Sequence, residues 1–102
     1  MSAVKINQSN FQEEVMESQK PVLLDFYADW CGPCRMVLPI VEEIARENPH
    51  IKVCKVNVDA EQALAEQFKV YSIPSLFVLK NGEIVNQSVG AKSKDEILEM
   101  LA

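Results

Sequence analysis

Two cysteines set two residues apart, Cys31 and Cys34, are the side chains of this sequence best suited to covalent chemistry. At that spacing two thiols can close a small disulfide ring or jointly hold a metal ion. They follow the apolar run Val22-Leu23-Leu24-Asp25-Phe26-Tyr27-Ala28 and precede a long helical pattern, which puts them at a strand-to-helix turn. A group there lies at the edge of a sheet and at the N-terminus of a helix, where free N–H groups favour an anion such as a thiolate. Disulfide exchange needs one thiolate to attack and a second thiol to resolve the mixed disulfide. Cys34 extends the inward stripe Val37, Val41 and Ile44, whereas Cys31 precedes the helix and can stay exposed with a lowered pKa. Cys31 is therefore the candidate nucleophile and Cys34 the partly buried resolver. Gly32 and Pro33 between them carry no charge, and Pro33 has no N–H, so nothing in the gap adds special stabilisation to a thiolate. The pair is expected to favour its disulfide form and so to act as a reductant.

Two charged residues interrupt apolar strands nearby in the pattern. Asp25 stands in a run that reads as buried on both faces, where an ionised carboxylate is costly. Either its pKa is raised and it carries protons, or it faces solvent near the strand end. Lys55 lies between Cys54 and Val56; it could pair with Asp25, or be a solvated lysine on a strand face. Pro74 precedes a strand and suits a strand start or a turn, with a cis bond possible. Gly90 fits a bulge, a close approach of backbone, or an ordinary turn.

The elements that must position these groups follow from periodicity. Val4 and Ile6 suit a short first strand, and Ser9 with Gln12 reads as a capping box for a helix with Phe11 and Val15 inward. Pro21 opens the second strand. Val37, Ile40, Val41, Ile44 and Ala45 define the long helix, which Pro39 should kink and Pro49 end. Ile51–Val58 reads as the third strand and Ala60–Phe68 as a shorter helix with Leu64, Ala65 and Phe68 inward. Leu76–Leu79 and Ile84-Val85 flank Asn81-Gly82, a strong hairpin signal. Ser93 with Glu96 opens a last helix whose apolar face is Ile97, Leu98 and Leu101. The order β-α-β-α-β-α-β-β-α has no linker, repeat or low-complexity segment. It predicts an α/β domain over residues 1–102, three-layered around a mixed sheet.

Composition narrows the function classes. At 102 residues, 48% of them hydrophobic and 25% charged, the chain is an ordinary globular sequence. Its net charge of −5 and lack of a basic run argue against nucleic acid as a main partner. No apolar signal region or membrane-length run is present, so no membrane association is expected. Three cysteines, an odd number, do not suit a secreted disulfide framework. A cytoplasmic location follows as the expectation.

Taken together, Asp25-Phe26-Tyr27-Ala28-Asp29-Trp30-Cys31-Gly32-Pro33-Cys34, Pro39, Lys55-Val56-Asn57-Val58-Asp59, Ser72-Ile73-Pro74-Ser75, Lys80-Asn81-Gly82-Glu83 and Val89-Gly90-Ala91 resemble the thioredoxin family over essentially the whole chain. The resemblance implies a three-layer α/β/α sandwich with a five-stranded mixed sheet and four helices. It also implies a thiol-disulfide oxidoreductase that reduces disulfides of target proteins, serving electron transport and redox homeostasis. In that reading Cys31 attacks, Cys34 resolves, Asp25 is the buried carboxylate serving Cys34, and Lys55 lies beside it. Pro74 would be cis and packed on the dithiol, and the backbone at Ile73 would pair with an extended target segment. Trp30, Gly32, Pro33, Ile73, Pro74, Val89, Gly90 and Ala91 would form the docking surface. No cofactor would be bound; a thioredoxin reductase would return electrons from NADPH to the Cys31–Cys34 disulfide, and the protein would be a monomer. The sequence departs from the family at Tyr27, where a second tryptophan is frequent, and at Lys69 and Ser72, where glycines are common. The first bears on packing near the site, the others on partner choice. Cys54 lies outside the motif and reads as a small buried hydrophobe.

Three other readings share some of these residues. Cys31, Cys34, His50 and Cys54 have ligand types a zinc module could use, but a helix fills the gap and Cys54 sits within a strand. A disulfide oxidase or isomerase is disfavoured by the Gly-Pro gap and the missing signal region. A binding module using the same groove without redox turnover is compatible with the pattern.

Overall fold

The computed structural model describes residues 2–102. Its strands are β1 (Val4–Lys5), β2 (Val22–Tyr27), β3 (Lys52–Asn57), β4 (Ser75–Lys80) and β5 (Glu83–Val89), joined in one sheet of order β1-β3-β2-β4-β5. β1, β3 and β2 run parallel, and β4 and β5 are antiparallel additions. The helices are a π-helical turn (Gln12–Met16), α1 (Gly32–Glu47), α2 (Gln62–Gln67) and α3 (Lys94–Leu101). This is the α/β sandwich with a five-stranded mixed sheet and four helices that the sequence leads one to expect.

Strand parity assigns the layers, because alternate side chains of a strand point to opposite faces. Leu23, Val53, Leu76 and Val78 pack with Val37, Val41 and Ile44 of α1 and Ile97 of α3. Val22, Leu24, Phe26, Cys54, Val56, Phe77 and Leu79 pack with Phe11, Val15 and Leu64 on the other side. Phe68 centres that second layer, its ring 5.1 Å from Phe77, 5.2 Å from Phe26 and 5.8 Å from Phe11. β2 lies between β3 and β4 and is buried throughout, so whatever its end carries is held by the most constrained strand of the sheet.

The first helix differs from the sequence expectation. Ser9 and Gln12 form no capping box; Asn7 Oδ1 instead accepts from the Ser9 and Asn10 amides and from the Ser9 hydroxyl. An asparagine side chain satisfies nearby amides more readily than serine does, and so fixes the turn itself. The helix then widens, with the Glu17 amide bonding to the Gln12 carbonyl five residues back. The capping box at Ser93 and Glu96 does form, in both directions. α1 continues through Pro39, and Asn81 and Gly82 make the two-residue hairpin turn, both at positive φ (53° and 78°).

α2 ends in a Schellman motif. The Val70 amide reaches the Ala65 carbonyl, the Lys69 amide reaches that of Glu66, and Lys69 takes the left-handed position at φ 55°. A side chain with a Cβ is strained there, whereas glycine is not. Lys69→Gly is accordingly expected to stabilise the fold by about 0.5–1 kcal/mol, the relieved strain exceeding the added entropy of the unfolded chain. Guanidinium unfolding checks this; a lower midpoint for the variant would show the lysine to be held by something other than backbone geometry.

Candidate active site

The turn from β2 into α1 builds the reactive centre. Cys31 is the N-cap of α1, in extended backbone conformation (φ −87°, ψ 112°), and its Sγ accepts from the Cys34 amide at 3.2 Å. Gly32 and Pro33 fill the first two helical positions, where a missing N–H costs nothing. One helical turn separates the cysteines, bringing their Cα atoms to 5.3 Å, and they are joined as a disulfide. A thiolate on Cys31 would meet the N-terminal amides of a sixteen-residue helix, the arrangement that lowers a thiol pKa. Arg35 Nε and its terminal nitrogen donate to the Asp29 carbonyl, clamping the turn from outside.

In one respect the expectation for Cys31 needs correction. It is not exposed: 4% of its surface is open, against 1% for Cys34. Its Sγ lies 3.8 Å from the Ile73 carbonyl, and Tyr27, Ala28 and Cys34 pack around it with Ile73 and Leu38. The cover comes from a loop 42 residues away, which local periodicity does not reveal. Both cysteines are buried, Cys31 slightly less so than Cys34.

The remaining surface residues gather around this ring in part. The Ile73–Pro74 peptide is cis, and the Pro74 carbonyl accepts from the Gly90 amide at 2.8 Å, so the Ile73-Pro74 and Val89-Gly90-Ala91 segments are joined by backbone. Pro74 itself is buried, whereas Gly32, Pro33, Val89 and Ala91 are exposed. Trp30 is 67% exposed, yet its indole N–H donates to Asp59 Oδ2 at 2.8 Å. That tether was missed from sequence; Asp59 stood among the matching motif residues without a role. A groove of about 720 Å³, lined by Phe68, Tyr71, Ile84, Val89 and others, includes neither cysteine.

Asp25 is fully buried. Parity puts it on the α1 face of β2, between Leu23, which packs with Val37 and Val41, and Tyr27, which packs with both cysteines. Neither carboxylate oxygen has a hydrogen-bond partner. Loss of hydration raises its pKa to about 7, outweighing the opposite pull of the Lys55 cation. The solvent-facing alternative for Asp25 is thereby excluded. Lys55 sits opposite Asp25 in the β2–β3 register, but it makes its ion pair with Glu42 of α1, Nζ to Oε2 at 3.3 Å. Of the two alternatives for Lys55, a contact pair with Asp25 does not form: the half-buried ammonium pairs with Glu42 instead. Glu42 carried no sequence signal, its relation to Lys55 depending on the tertiary phase of α1.

Cys54 lies on the opposite face of the sheet, in the core with Leu24 and Phe26, and burial pushes its thiol up to about 12. It is therefore an inert thiol at neutral pH, and it cannot join Cys31 and Cys34 around a metal. Among the described residues no group of three or more His, Cys, Asp or Glu side chains could hold one. Among them, too, no helix is long and apolar enough to cross a membrane.

Similarity to known proteins follows the same lines. A family model described as Thioredoxin matches residues 2–102. Thioredoxin 1 of a Nostoc species is 46% identical over 101 residues, covering 98% of this chain and 94% of that protein. Thioredoxin of Mycobacterium bovis is 44% identical over 102 residues, covering 99% of this chain and 88% of that one. A solved mutant thioredoxin from Halobacterium salinarum superimposes with a TM-score of 0.88 at 36% identity, over 96% of this chain and 86% of the other.

Proposed function

Since the chain belongs to the thioredoxin family and is a thiol-disulfide oxidoreductase of the protein-disulfide reductase type, we propose the following division of labour among its residues. The observation that carries it is the asymmetry of the pair: Cys31 caps the helix and is slightly less buried than Cys34. The Cys31 thiolate attacks one sulfur of a target disulfide and expels the other as a thiolate, leaving a mixed disulfide. Cys34 gives its proton to the Asp25 carboxylate and attacks Cys31 Sγ, releasing the second target thiolate. Two electrons pass to the target, which leaves as a dithiol after taking up two protons, and the Cys31–Cys34 disulfide remains. A raised pKa suits Asp25 to this step, since at neutral pH the carboxyl both accepts and returns a proton.

The docking surface in this reading is Trp30, Gly32, Pro33, Ile73, Val89, Gly90 and Ala91, with the buried Pro74 supporting it from within. Gly32, Pro33, Val89 and Ala91 are exposed, and an extended protein segment is long enough to span them. The backbone at Ile73, whose carbonyl lies 3.8 Å from Cys31 Sγ, offers strand-like pairing to that segment. Lys55 acts electrostatically on Asp25 rather than through contact. Residues 1–102 work as one domain and as a monomer in the cytoplasm. Electrons come from NADPH through a thioredoxin reductase, with no resident cofactor.

The test is a coupled assay with NADPH, a thioredoxin reductase and a disulfide-containing protein. The expected result is NADPH oxidation that depends on both the chain and the target, at a rate proportional to the chain. NADPH consumption that ignores added chain would sink the proposed electron route, although direct reduction of the target by pre-reduced chain could persist.

A further inference from the structure

Among the described residues Glu42 is the ion-pair partner of Lys55, and both of its oxygens are engaged. Oε2 meets Lys55 Nζ at 3.3 Å, and Oε1 accepts from the Ala3 amide at 2.6 Å, at the entry to β1. Two anchors on different elements fix the carboxylate in place more firmly than either would alone. Across the register from Lys55, the Asp25 carboxyl accepts no hydrogen bond from the described residues. We propose that Glu42 is a positioning residue which draws the Lys55 ammonium away from Asp25 and so keeps that carboxyl unpaired beneath the cysteines.

The groups around Asp25 leave few other determinants. Its register partners are Lys55 on β3 and the apolar Leu76 on β4, Leu23 and Tyr27 flank it on its own strand face, and α1 contributes Glu42 through its ion pair with Lys55. Lys55 is the only cation among them. Whether it bonds to Glu42 or to Asp25 decides how strongly the ionised carboxylate is favoured, since an opposite charge at contact lowers a carboxylate pKa where burial raises it. With Glu42 in place, burial dominates. The inference rests on the reading of Asp25 as proton acceptor only for its consequence in catalysis, not for the geometry.

Glu42→Gln tests it, since an amide oxygen can still accept from the Ala3 amide while the charge that holds Lys55 is gone. Asp25 is followed by carboxyl-carbon NMR across pH in the disulfide form of the full chain. The expected result is a midpoint lower by about one pH unit, a tenfold fall in proton affinity. In a Lys55→Met background, where the midpoint starts higher, Glu42→Gln should then move it by less than a third as much. An unchanged or higher midpoint in Glu42→Gln overturns the proposal. So does an equal fall in both backgrounds, which would mean that Glu42 acts on Asp25 by its own charge. If the midpoint moves as expected but the rate at which Cys34 resolves a mixed disulfide does not, the positioning role stands and the proton-acceptor role of Asp25 falls.

Discussion

Cys31→Ser is expected to reduce no protein disulfide and to form no mixed disulfide, while Cys34→Ser should accumulate one. The reasoning is chemical before it is structural. A serine hydroxyl at position 31 keeps the cap on α1, because an oxygen can accept from the Cys34 amide as the sulfur does. The fold should therefore survive and the loss of activity be complete. With Cys34 replaced instead, Cys31 still attacks, but nothing expels the second half of the target, so the adduct persists. Mass spectrometry of each variant, mixed with an oxidised target and quenched with acid, separates the two outcomes. Mixed disulfide on Cys34 in the Cys31→Ser protein would reverse the assignment of attacker and resolver.

The second large effect concerns Asp25. In the unfolded chain this carboxyl has an ordinary value near 3.8, and in the folded protein it is raised to about 7. The folded state therefore binds the proton more tightly, and its contribution to stability is complete below the unfolded value. As pH rises from about 4 to about 7 the unfolded chain ionises freely while the folded one resists, so stability is lost through that window. At roughly 1.4 kcal/mol per pH unit, the three-unit difference amounts to a ceiling of about 4 kcal/mol above pH 7. Asp25→Ala removes the charge, and a small cavity offsets part of the gain. The variant should be more stable than the parent by about 3 kcal/mol at pH 8 and within about 1 kcal/mol of it at pH 4. Denaturant unfolding at the two pH values measures it, and a gain independent of pH would refute ionisation as its source. The same variant should resolve mixed disulfides roughly tenfold more slowly, less than a full general base would give because a thiol also ionises to water. Stability and turnover thus pull in opposite directions at this one position.

Much of this arrangement was readable from residue order because its causes are local. A C-x-x-C pair between an apolar strand and an amphipathic helix is placed by chain connectivity, and the inward stripe from Cys34 to Ile44 distinguishes the two sulfurs without any tertiary information. Asp25 was only half legible: an interrupted apolar run says that a carboxylate is out of place, not which way it points. Strand parity resolves that once the sheet is known, since Leu23 already faces α1. What could not be read depends on contacts between distant segments. Ile73 covers Cys31 from across the fold, Trp30 is tethered to Asp59, and Lys55 is taken by Glu42. The first helix failed for a different reason, a competition between neighbours in which Asn7 prevailed over Ser9.

The outer strand β5 bears on how readily the sheet recruits copies of itself. β5 presents Ile84, Val85 and Val89 to water and leaves one row of backbone groups unpaired, the condition under which sheets extend by recruiting copies of themselves. Yet its pairing with β4 slips between Val78 and Leu79: Asn86 faces the first and Ile84 the second, so Val85 has no partner. A bulge of this kind bends the strand and increases its twist, and a bent, twisted rim gives an incoming strand only a few residues of matched hydrogen bonds. The sheet can therefore keep an apolar edge in the open without that edge acting as a template for its own growth.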